Sequence, residues 1–173
     1  MNLSRRSLVM LSAVVTVAVA AVLTACASQS ERVPPTPAAT TSESGRGSAI
    51  SRDDAAGLLN AVPGLTDADI GSHISGLSTE IVMEVSVDDA SAITAPGVLD
   101  YVLRVGWATA LAQEPSQLSL TVWNHGTRLD LQDQANVISG VDSPAFPLLY
   151  SVYLDGPEYL GSWPGAVPAL PVG

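Results

Sequence analysis

Lysine is missing from this sequence, cysteine occurs once and histidine twice. Each shortage closes off a chemistry. With Cys26 alone, the chain can form no internal disulfide and no thiolate metal cluster, so its folded part must rely on an apolar core. With lysine absent, all 7 basic residues are arginines, against 17 acidic residues. From Ile50 onward only Arg52, Arg104 and Arg128 are basic. Such a surface disfavours nucleic acid, because phosphate binding depends on neutralisation by Lys and Arg. An anionic lipid leaflet repels it as well, within a Debye length of about 8–10 Å. No Gly-rich phosphate loop followed by Lys is present, and no EF-hand spacing. Gly76-Leu77-Ser78 lacks the closing glycine of a nucleophile elbow. These absences predict no cofactor, no metal and no catalytic residue.

What is present begins with a leader. Arg5 and Arg6 form a positive start, and Leu8 to Ala25 then runs without a charge. The run closes on Leu23-Thr24-Ala25-Cys26, whose small residues suit a peptidase cleft at the end of an apolar segment. This tetrad resembles the lipobox of bacterial prolipoproteins. The resemblance implies that Cys26 carries a diacylglyceryl thioether, that cleavage falls before it, and that the chain is held by lipid at the outer face of the cytoplasmic membrane. Two acyl chains, at about 0.8 kcal/mol per buried methylene, anchor durably. The competing reading is an uncleaved span, which Ser12 and Thr16 weaken. Ser4 to Leu8 also resembles a twin-arginine export signal, with Met10 where lysine is common, and the general secretory route is expected instead. From Cys26 on, five of the 7 basic residues remain against all 17 acidic ones, a net charge of −12. The abundance of Ala, Val and Gly, with arginine in place of lysine throughout, resembles that of actinobacterial lipoproteins of unassigned role.

Four segments are expected: the signal peptide (1–25), a lipidated Cys26 with a disordered tether (26–49), a folded domain (50–140) and a C-terminal strap (141–173). The tether is rich in Ser, Thr, Ala, Pro and Gly and cannot bury enough apolar surface to offset ordering entropy. As a coil it places the domain on the order of 25 Å from the bilayer. Its Ser/Thr/Pro mix also suits O-glycosylation.

Within the domain, Ser51-Arg52-Asp53-Asp54 reads as a helix cap, and the helix runs to about Val62 before Pro63-Gly64. A hairpin follows, from Asp69–Ser75 and from Ile81–Asp88, whose Ile81, Met83, Val85 and Val87 alternate with mostly polar residues. Pro96-Gly97 starts a second helix, about Val98 to Ala112, whose apolar stripe should cover the sheet. Leu118, Leu120 and Val122 form another one-faced strand, and Asn124-His125-Gly126-Thr127 turns into a partner at Arg128–Leu131. Gln132–Ser139 reads as a short helix.

The order is α-β-β-α-β-β, which predicts an α+β two-layer sandwich with helices on an antiparallel sheet. By element order it resembles the small BON-type domains of bacterial envelope proteins, a likeness that supplies no site residue. Leu148–Leu154 suits a strand or packed segment. Beyond it, prolines and glycines argue against regular structure, and Trp163 is expected to pin the strap to the domain.

Candidate sites are few. His73 and His125 are far apart in sequence, and Asp67, Asp69, Asp88 and Asp89 read as turn and strand-end residues rather than Ca²⁺ ligands. Trp123, opposite in phase to Leu118, Leu120 and Val122, and Trp163 are the candidates for a contact surface; the competing reading has the strap covering Trp123. The function expected is a non-enzymatic envelope lipoprotein binding another protein or a cell-wall polymer. The alternatives are a carboxylate-dependent hydrolase of wall glycans and a carrier of a small apolar ligand.

Overall fold

Described here from a computed structural model are residues 48–141 and 149–171. The signal peptide, Cys26 and all but the last two residues of the tether lie outside the described residues.

Helix α1 (Arg52–Asn60) starts at the predicted cap. Ser51 Oγ accepts the amide of Asp54 at 3.1 Å and donates to its carboxylate at 2.7 Å, so one short pair satisfies an orphan amide at the helix start. Ala55, Leu59 and Val62 enter the core, and Gly64, at φ +82°, turns the chain into a hairpin. Its strands are β1 (Leu65–Ser75) and β2 (Ser78–Val87). β1 is longer than expected, because a bulge between Thr66 and Asp69, with Asp67 at φ 52°, lets the pairing resume on the other side of the irregularity. Asn60 Oδ1 takes the Ala68 amide at 3.0 Å and Arg52 reaches Ser72 Oγ at 2.8 Å, so α1 lies along this outer strand and blunts its edge.

A short α2 (Ala90–Thr94), capped by Asp89, leads to α3 (Val98–Trp107), of whose ten residues only Asp100 and Arg104 are not buried. α3 stops at Trp107 rather than near Ala112. Ile50 intervenes there: its amide donates to Ala108 O at 3.0 Å and its carbonyl accepts from Ala110 at 2.7 Å, which pulls those residues out of the helix.

The next strand, β3 (Gln117–Asn124), corrects the expected sheet. It pairs with β2 in parallel, Glu80 opposite Gln117 through Val87 opposite Asn124. The helical crossover returns the chain to the end at which β2 began, which a parallel neighbour requires. The sheet is therefore mixed, with five strands, and the domain is α+β. β4 (Thr127–Arg128) is a two-residue strand against Trp123 and Asn124, entered through His125 at φ 49° and Gly126 at φ 78°. After α4 (Gln132–Ser139), β5 (Val152–Asp155) pairs antiparallel with the other end of β3. β3 is thus central, with β2 on one side and β4 and β5 sharing the other. α5 (Gly156–Leu160) places regular structure where prolines argued against it, because Pro157 sits in the first turn, where its missing N–H has no helical partner to lose.

The core lies between the helices and one sheet face, where Ile81, Val85, Leu118, Leu120, Leu99 and Val102 are fully buried. Residues after α5 run beside α3. Gly161 O accepts the Trp107 indole N–H at 2.9 Å, Trp163 Nε1 donates to Thr109 O at 3.2 Å, and Gly165 donates to Trp107 O at 3.3 Å.

Candidate functional site

Strand registers map the sheet face that carries no helix among the described residues. Four rows cross it. The first runs His73, Glu80, Gln117 and Asp155; the second Gly71, Val82, Ser119 and Tyr153. The third holds Asp69, Glu84 and Thr121; the fourth Thr66, Ser86, Trp123 and Arg128. Alternation sets this arrangement, since every second residue of β2, β3 and β5 is committed to the core by its apolar side chain.

Two features distinguish the face from an ordinary solvated one. Tyr150 and Tyr153 stack, their ring centroids 5.7 Å apart and their planes 17° from parallel. This pair borders Ser119, which is fully buried and donates to Ile81 O at 3.4 Å. Beside it stands Glu80, whose Oε1 is buried without a hydrogen-bond partner among the described residues. A buried carboxylate oxygen without a donor is costly, and native proteins leave few such atoms. Burial raises the pKa of both phenols above the ordinary 10.0, and the negative charge of Glu80 raises it further. The face thus joins an aromatic pair to a carboxylate at one end, and Trp123 to Arg128 at the other.

Of the residues singled out from sequence, Trp123 lies on this face, half-buried in register with Arg128. Trp163 lies on the opposite side of the sheet, against the end of α3, so the two tryptophans are not brought together. Arg5, Arg6, Leu23, Thr24, Ala25 and Cys26 fall outside the described residues. His73 is opposite Glu80 at the start of β2, whereas His125 bonds the carbonyl of Asp88, just past its end. Asp89 caps α2, and its bonds to Ser91 lower its pKa. Among the described residues no group of three His, Cys, Asp or Glu could hold a metal ion.

An apolar hollow of 260 Å³ opens between the helix ends and Pro171, lined by Val62, Pro63, Ala92, Pro96 and Val98. It is smaller than the ~300–1,000 Å³ of ligand pockets, and none of its lining residues has a polar side chain to orient a guest.

Tyr150, Tyr153 and Glu80 were not singled out from sequence. Once the start of β5 at Val152 is known, the alternation of buried Val152 and Leu154 puts Tyr153 outward. Tyr150 precedes the strand and carries no periodic signal. Comparison with protein families, curated proteins and solved structures finds no match to this chain.

Proposed function

We propose that this protein is a lipid-anchored module of the cell envelope that binds another envelope component through the helix-free face of its sheet. The observation that carries the binding role is the stacked Tyr150–Tyr153 pair beside Glu80, with Trp123 farther along the same face: three part-exposed aromatic side chains on one sheet face of a chain with only 5% aromatic residues. Aromatic side chains partly exposed on a flat, polar-rimmed surface are characteristic of contact sites. The anchor is supported by the lipobox-like Leu23-Thr24-Ala25-Cys26 and by its use of the chain's single cysteine. Among the described residues no helix is long and apolar enough to cross a membrane. A binding role is favoured over glycan hydrolysis because the carboxylates of the face stand on an open sheet rather than opposed across a cleft.

The test is site-specific photo-cross-linking in the native host, with the cross-linker at Thr121 on the sheet face or at Asp53 on α1, and mass spectrometry of the Cys26 peptide. The expected result is one stoichiometric adduct from position 121, none from position 53, and a diacylated N-terminal Cys26. Adducts from position 53 alone, or from neither position, overturn the binding surface. An unmodified Cys26 overturns the anchor.

A further inference from the structure

The chemistry of the face selects among partners. We propose that Tyr150, Tyr153 and Glu80 form a receptor for a cationic side chain, an arginine or lysine presented by a protein partner. This inference rests on the reading of the sheet face as the binding surface.

Three observations converge. Glu80 is half-buried and its Oε1 has no donor among the described residues, so an N–H that reaches this carboxylate meets an unsatisfied acceptor. A charged donor answers this oxygen best, since charge-assisted bonds are roughly twice as strong as neutral ones. The stacked tyrosines place π-faces beside that carboxylate, and a cation within about 6 Å of such a ring is attracted to its negative face. Finally, Glu80, Glu84, Asp69 and Asp155 share the face, in a chain of net charge −10, so the field over the site draws cations. Arg128 stands at the far end beside Trp123, and His73 faces Glu80 from β1 with its side chain exposed. A neutral sugar would stack on the same rings and could donate its hydroxyls to the carboxylates, but it would gain no Coulombic attraction from their charge. Charge complementarity therefore favours a basic protein segment over a glycan.

The experiment uses the full chain in nonionic detergent with tyrosine ring carbons labelled. It is titrated with the peptide acetyl-Gly-Arg-Gly-Arg-Gly-amide and with the same peptide carrying citrulline for arginine, which keeps the shape and removes the charge. The expected result is saturable shifts of the Tyr150 and Tyr153 ring signals, with the citrulline peptide at least tenfold weaker. Glu80→Gln should weaken the arginine peptide about tenfold, while Asp53→Asn, an equal change of net charge on α1, changes it less than twofold. Equal binding of the two peptides, or equal effects of the two substitutions, overturns the proposal. So does saturable perturbation of the same rings by a neutral chitin oligosaccharide but not by the arginine peptide, which assigns the face to glycans. These outcomes leave cross-linking from position 121 intact, so failure here is distinguishable from failure of the binding surface itself.

Discussion

Adding one methyl group at Gly156 should cost more than almost any other single-carbon change in the domain. A Cβ built there runs into the six-membered ring of the Trp107 indole, meeting Cζ3 and Cη2 as well as Cζ2, the last at 2.8 Å. The ring has nowhere to go. Trp107 is 1% exposed, its Nε1 is bonded to Gly161 O at 2.9 Å, and its carbonyl accepts from Gly165 at 3.3 Å. Gly156 is equally fixed, by its amide bond to Ser116 O at 3.0 Å. Overpacking of this kind costs about 1–3 kcal/mol, and with both partners tethered the upper end applies, about 3 kcal/mol. At about 4 °C per kcal/mol for a domain of this size, the thermal midpoint should fall by about 12 °C.

Gly106→Ala is the internal contrast, since the group in its way is the flexible thioether of Met83, which can swing aside. Urea unfolding of the detergent-solubilised full chain, followed by circular dichroism, measures both. The decisive comparison is the Trp107→Phe background: phenylalanine lacks the atoms in the way, so Gly156→Ala should there cost less than about 1 kcal/mol. Equal cost in the two backgrounds, or a wild-type effect within about 0.5 kcal/mol of zero, refutes the steric argument.

Ser51→Ala should lower stability by about 1 kcal/mol through loss of the α1 cap, read from the same unfolding curves, with Ser51→Asp nearly neutral. Because its bonds to Ser91 depress the Asp89 carboxyl below 3.8, the cap of α2 should hold above the unfolded pKa and be lost as pH falls through the lower folded one. The Ser91 amide signal reports this loss, which Asp89→Asn should remove. Ultraviolet titration of the phenols should find Tyr150 and Tyr153 ionising above 10.0, and Glu80→Gln should bring both down without restoring the ordinary value, since burial is the larger cause. Cys26→Ser should abolish the diacylglyceryl mass increment on the peptide that carries residue 26, read by mass spectrometry of the membrane fraction.

Local signals in the sequence were sufficient for part of the local structure, though α2 and α5 were not foreseen. The Ser51 cap, the alternation of Ile81, Met83, Val85 and Val87, the glycine turn after His125 and the span of α4 all follow from side chains within a few residues of one another. Strand direction does not. Whether β3 lies parallel or antiparallel to β2 depends on where the crossover through α3 delivers the chain, and no residue of β3 encodes that. The early end of α3 is equally remote in origin, since Ile50 lies 57 residues before Trp107 and takes the bonds that would have extended the helix. The candidate site was half legible. Trp123 was reachable from alternation alone, but Tyr150, Tyr153 and Glu80 meet only because three strands, one of them β5, come together.

The position of β5 also sets an order of assembly. The central strand receives its second long neighbour only from residues 152–155, and α3 is fastened at its C-terminal end by Gly161, Trp163 and Gly165. A chain still emerging from a ribosome or a membrane channel with only its first 140 residues delivered would have the helical crossover and strands β1 to β4, with β3 bare along the stretch that β5 later covers. It could not close the core. Threading in an unfolded state is therefore compatible with this topology, and a late release delivers the last pieces of the domain at the moment they are needed.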